Sequence, residues 1–276
     1  MKILLFLLLL SISFAINGQE LYVSSEPASN MPSKSIGFRL NNEIMPPYRN
    51  ALYGVDNKRY MFRQNAEVML GLSKKWMFHF SMFSGTFHQS YYKFEGINLY
   101  TKFRFLSKDN VQSHFRMAAY AKAAVISNDI QYNDINLQGD NSGFAGGIIA
   151  TQLLHKFALS FTGGYNHSIN NLKYKLKPSQ PSCAYNYSFS AGYLLFPFKY
   201  KNYRQTNINL YFEMLGKTNP QTAEHYIDMA PAIQFIINSR MRLEMAYKRQ
   251  LAGNMLRINN QSILIRFEYN IFNAYK

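Results

Sequence analysis

The chain has 276 residues, 47% of them hydrophobic, and 30 Lys and Arg stand against 15 Asp and Glu. That length suits one large β domain or two small ones, and the slightly negative mean hydropathy excludes a helical membrane protein. A formal charge of +15 often marks nucleic-acid binding, but an exported protein rarely meets any. In that compartment lipopolysaccharide phosphates and anionic solutes are the expected partners.

Export is read from the N-terminus. Met1-Lys2 is a short positive start, Ile3–Leu10 is an apolar run, and Ser13-Phe14-Ala15 fits a small-x-small cleavage site. A signal peptide is therefore expected within residues 1–18, cleaved after Ala15 or, as a second possibility, just before Gln19. The run is short for a spanning helix, and no cysteine follows it as in a lipoprotein. Cys183 is the one cysteine, so no intrachain disulfide forms. Residues 19–34, with Pro27 and Pro32, read as an extended periplasmic leader.

From residue 35 to 276, period-two alternation recurs in segments of about ten residues, the length of a tilted barrel strand. Ile36, Phe38 and Leu40 oppose Arg39 and Asn41, and Ala66, Val68 and Leu70 oppose Arg63, Asn65 and Glu67. Trp76, Phe78 and Phe80 oppose Met77, His79 and Ser81. Ile97, Leu99 and Phe103 oppose Asn98, Lys102 and Arg104, and Met117, Ala119 and Ala121 oppose Arg116, Tyr120 and Lys122. The middle, near 143–153 and 157–166, is softened by Gly146-Gly147 and Gly163-Gly164, since glycine weakens strands while permitting close approach. Later strands recover, although Pro231 predicts a bulge or short break. The last, Ile263–Phe272, sets Ile263, Ile265, Phe267, Tyr269 and Ile271 against Arg266, Glu268 and Asn270.

Long connections near 44–59, 84–93, 127–142, 167–181, 215–224 and 249–261 alternate with short ones near 73–75, 107–110, 155–156 and 238–240, while one near 197–206 is intermediate. Outer-membrane barrels alternate in this way, with short turns periplasmic and long loops outside. A secreted β-sandwich is the competing architecture, but polar side chains would then fill its core face. The predicted fold is an all-β, transmembrane, antiparallel up-and-down barrel of about twelve strands in the outer membrane, monomeric, with six longer outer loops. The barrel-assembly machinery and outer-membrane lipid are its expected partners.

The basic, Tyr- and Asn-rich pattern, ending in an amphipathic strand, resembles the outer-membrane barrels of Bacteroidota. The stretch from Glu26 through Pro27, Asn30, Met31 and Pro32 to Ile36 looks like the opening of one barrel family of that group. A departure is the C-terminus, where Phe272 is followed by four residues ending Tyr275-Lys276 instead of closing the chain.

Four constellations are candidates for chemistry. Arg242 and Glu244 lie on the strand beside Arg266 and Glu268, where cross-strand ion pairs are expected. Lys102, Arg104, Arg116 and Lys122, on two neighbouring strands, have no matching acids in the inward parity. They suggest a passage or site for a small anionic solute, with a plugged lumen as the alternative. Met69, Met77 and His79 fall near one another inside the barrel and would suit Cu(I), although methionine is more often a flexible packing group. Lys173, Lys175 and Lys177 alternate in an outer loop and suit lipopolysaccharide phosphates. No Ser–His pair sits on the lipid parity, and His88, His167, His225, Glu224 and Asp228 at the outer rim show no catalytic spacing. The sequence is therefore read as a non-enzymatic barrel without a cofactor. Its competitors are a plugged accessory barrel of an envelope complex, a barrel lipase or protease, and a copper-binding barrel.

Overall fold

The computed structural model describes residue 22 and residues 24–50, 55–111, 113–197 and 205–275; the expected signal peptide lies outside them. Strand β1 (Ser35–Met45) leads into a small hairpin of β2 (Tyr48–Asn50) and β3 (Val55–Asn57). Then follow β4 (Met61–Gly71), β5 (Trp76–Gly85), β6 (Lys93–Asp109), β7 (Ser113–Ile126), β8 (Ser142–Leu154) and β9 (Phe157–Ile169). The series ends with β10 (Cys183–Phe196), β11 (Asn207–Asn219), β12 (Glu224–Ile237), β13 (Met241–Gly253) and β14 (Gln261–Ile271). Leaving out the β2–β3 hairpin, twelve strands pair antiparallel with their chain neighbours, and β1 pairs β14 to close a barrel without sheet edges.

Closure explains the alternating sequence. Each strand must place one row of side chains outward and the next into the lumen. Phe38, Trp76, Leu99, Phe189, Met245 and Phe267 are all exposed on the outer wall. Their inward neighbours Arg39, Met77, Asn98, Ser190, Glu244 and Glu268 are buried.

The connections refine the expected pattern. Residues 220–223 form only a tight turn, because β11 and β12 stay paired out to Asn219 and Glu224. That outer connection is therefore not a long loop. Pro231 does not interrupt the pairing with β11, where it lies opposite Phe212. On the β13 side the ladder passes from Met229 to Ala232, and the register shift falls at Ile227/Asp228. The missing N–H thus costs one side of the ladder only.

The glycine-rich middle has a packing reason. A Cβ on Gly164 would stand 2.2 Å from the Tyr120 hydroxyl, and one on Gly147 2.8 Å from the Tyr120 ring. Bare backbone on β8 and β9 leaves room for Tyr120 to lie across the inner wall.

Candidate functional site

The leader does not trail into the periplasm. It enters the lumen at the end that carries the short turns and the start of β1, which in outer-membrane barrels is the periplasmic end. The Tyr22 ring meets Tyr211 edge-on with centroids 5.6 Å apart, in a cluster with Leu153, Ala158, Ala232 and Ala246. The Ser24 and Ser25 amides donate to the Glu213 carboxylate at 2.8 and 3.1 Å, and the Ser25 hydroxyl adds a third bond. The Ala28 amide donates to Thr151 Oγ1 at 2.9 Å. Lys102 Nζ donates to the carbonyls of Pro27 and Ser29 at 2.6 and 2.8 Å. A segment whose backbone polar groups are met by wall side chains is held in place, because leaving them unmet would cost about 1–3 kcal/mol each.

At the centre of this plug is Arg39. Its guanidinium bonds Glu26 of the leader at 2.6 Å, Glu67 of β4 at 2.8 Å and Glu268 of β14 at 2.9 Å. The register places Arg39 opposite both wall glutamates, so a cross-strand row of acid, base and acid runs over the seam and captures the leader. Burial alone would raise the Glu26 carboxyl, but Arg39 and then Lys102 outweigh it and bring it from 4.5 to about 2. A depressed carboxyl stabilises the docked leader fully above about pH 4.5 and loses that contribution as pH falls toward 2. Tyr22→Trp emission, read in a Trp76→Phe background, is accordingly expected to shift red over this window as the ring leaves its buried seat. Glu26→Gln should flatten the shift; a Tyr22→Trp probe with Glu26 intact whose emission does not move between pH 4.5 and 2 would sink the latch.

The opposite mouth is partly filled by residues 127–141. Arg63 of β4 holds Asp140 at 2.6 Å and Glu95 at 2.7 Å. Asn98 donates to the Leu137 carbonyl at 3.1 Å. Lys217 reaches Asp134 and the Ile135 carbonyl at 2.5 and 2.7 Å. Arg257, from the last loop, clamps Asp228 with two bonds of 2.7 Å and lies 3.5 Å from Asp134. Burial would raise the Asp134 carboxyl, yet Lys217 and Arg257 hold it below its ordinary value.

Between leader and outer loop lies a polar chamber of 340 Å³, lined among others by Glu26, Glu67, Tyr100, Lys122, Asn136 and Lys217. A second cavity of 230 Å³ opens at the periplasmic end between the leader and Met69, Met77, Lys74, Arg104 and Arg116. The expected basic cluster is thereby divided, and the premise that it lacks partners is corrected. Lys102 holds leader carbonyls and lies 4.0 Å from Glu26. Arg116 pairs with Asp109 at 3.0 Å and donates to Ser29 Oγ. Arg104 donates to the Lys74 carbonyl at 2.8 Å, beside a bulge in β6. Lys122 alone of the four faces the central chamber. The other foursome comes together on the inner wall: Arg242 bonds Glu268, and Arg266 lies 3.3 Å from Glu244.

The methionine–histidine set is split across the two cavities. Met69 lies opposite His79 in the β4–β5 register, but Met69 and Met77 line the periplasmic cavity while His79 lines the chamber. His79 Nδ1 is 3.2 Å from Glu67, and Met77 Sδ accepts the Met31 amide. Glu26, Glu67 and His79 do bring ligand atoms within 4.8 Å of one another. Arg39 already supplies the positive charge there, so a cation would have to displace a bonded guanidinium. At the rim, His88 Nε2 bonds Asp140 at 2.7 Å, Glu224 binds Asn133, and Asp228 belongs to Arg257. His167 faces outward, and the His225 backbone amide donates to Asn254. These contacts brace loops, and none sets a nucleophile beside a base. Lys173, Lys175 and Lys177 are exposed on a loop tied to the wall where the Leu172 amide meets the Ile126 carbonyl.

Comparison with known proteins gives the fold and no family. No family model and no curated protein matches the chain. Among solved structures, an outer membrane channel of Pseudomonas putida F1 superposes with a TM-score of 0.59 over 91% of this chain and 100% of that one, at 13% identity. The fold is that of an outer-membrane barrel. The β domain of the Bordetella autotransporter BrkA is more distant, at TM-score 0.48 and 9% identity over 85% and 98% of the two chains. Outer membrane phospholipase A of Escherichia coli gives 0.45 and 10% over 94% and 96%. At these identities the likeness concerns architecture, and function has to be argued from the lumen.

Proposed function

We propose that the protein passes a small anionic solute across the outer membrane through a lumen closed at rest by its own leader. The observation that carries this reading is the 340 Å³ chamber between two plugs, lined by many polar and charged side chains, in a barrel whose fold neighbour is a channel. A purely structural barrel of this width can fill its interior with side chains. Here the interior is filled instead by two segments bonded to the wall largely through polar groups, with only small apolar contacts such as those of Tyr22, Ala28 and Leu137 to give up on separation. Arg104, Arg116 and Lys74 around the periplasmic cavity favour anions at that entrance. Lys173, Lys175 and Lys177 on the outer loop would meet lipopolysaccharide phosphates.

Single-channel recording in a planar bilayer under a salt gradient tests the reading. The expected result is openings with an anion-selective reversal potential, moved toward zero by joint Arg104→Gln and Arg116→Gln replacement. A folded barrel that stays silent even without its leader would instead support the second reading, a plugged accessory barrel, which the occupation of both mouths favours.

A further inference from the structure

The chamber holds one charge that the protein itself does not answer. Of the seven Arg and Lys side chains lining it, six are held by carboxylates: Arg39, Arg63, Lys217, Lys248, Arg257 and Arg266. The seventh is Lys122. It lies on β7 opposite Tyr100 of β6 and Ala145 of β8, with its ammonium 5.8 Å from the centre of the Tyr100 ring. Among the described residues it has neither a hydrogen-bond nor an ion-pair partner. An ammonium enclosed in a barrel without a partner is costly, so water or an anion must meet it.

The groups around Lys122 indicate what the rest of that anion looks like. Asn65, Asn136, Asn166, Asn186, Thr162 and Ser188 line the same chamber. Amides and hydroxyls both donate and accept, which matches a body carrying several hydroxyl groups rather than further charges. Tyr100 and Tyr120 stack with centroids 5.8 Å apart and planes 24° apart, and Asn186 donates to the Tyr120 hydroxyl. Such a wall suits a saturated ring presenting one apolar face. A phosphate dianion calls for two or more converging donors of positive charge. The neighbouring cation, Lys217, is already engaged by Asp134 and the Ile135 carbonyl.

We propose that the chamber binds a hydroxylated monocarboxylate of the sugar-acid class, its carboxylate on Lys122 and its hydroxyls among the asparagines. The proposal rests on reading the lumen as a solute route, and it is tested separately from conduction. Folded full-length protein in detergent, its barrel verified by heat-modifiable electrophoretic mobility, is titrated calorimetrically with D-glucuronate, D-glucose and inorganic phosphate. Glucuronate is expected to bind about tenfold or more tightly than glucose, the worth of one charge-assisted hydrogen bond, and more tightly than phosphate. Lys122→Met should bring glucuronate down to the glucose level, and Lys122→Arg should keep the preference. Equal binding of the two sugars, tighter binding of phosphate, or a preference that survives Lys122→Met overturns the proposal. A barrel that binds glucuronate but carries no current overturns passage alone. One that conducts anions and ignores glucuronate overturns the ligand class alone.

Discussion

Deleting residues 22–32 is expected to turn a barrel that opens rarely into one that conducts steadily, with mean current up by an order of magnitude or more. The leader fills the periplasmic half of the lumen, and conduction follows free cross-section. Its anchors are polar: two serine amides on Glu213, one amide on Thr151, two carbonyls on Lys102 and one carboxylate on Arg39. Removing it exposes mostly hydrophilic wall, plus the small apolar patches under Tyr22 and Ala28, so the barrel should still fold and unfold as a barrel. A reversible version avoids the deletion. Ala28→Cys with Thr151→Cys joins positions whose amide and hydroxyl are 2.9 Å apart, and the oxidised protein should be silent until a reductant frees the leader. Equal currents with the leader present, absent and cross-linked would show that it does not obstruct the path.

Arg39→Met should be the most damaging single substitution in the lumen. It leaves Glu26, Glu67 and Glu268 facing one another inside the barrel with their shared counter-charge gone. Breaking a buried ion pair from one side costs roughly 3–5 kcal/mol, because the abandoned charge stays desolvated. Urea unfolding of the refolded barrel is the measurement. Adding Glu67→Gln to Arg39→Met should recover part of the loss, since one of the stranded charges is then removed. A loss below about 1 kcal/mol, as for an exposed pair, would mean that water reaches the cluster freely.

The barrel was legible because its code is local: every second residue faces lipid, and a ten-residue window shows it. Arg242, Glu244, Arg266 and Glu268 were legible for the same reason, since adjacent hairpin strands bring them together. The leader was not. It has no periodicity, contains two prolines, and finds its partners far along the chain, with 189 residues separating Ser24 from Glu213. Charge counting also misled for Lys102, whose partners are backbone carbonyls that carry no sequence signature. Arg104 keeps its inward parity, but it lines the periplasmic cavity, not the central chamber, and its donor goes to the Lys74 carbonyl, a backbone partner with no sequence signature. The folding back of residues 127–141 left only a faint trace in Asp134 and Asp140, two of the three acids in a loop without Lys or Arg.

The bond between Arg39 and Glu268 joins the first barrel strand to the last, across 229 residues of chain. Contacts of such separation form late, because the whole intervening loop must close before they are rewarded. The same guanidinium also grips Glu26, so the leader's seat is complete only once the final strand has arrived. Stoppering is thereby timed to maturation: an unfinished barrel has no finished lock, and the lumen is sealed by the act that completes the wall.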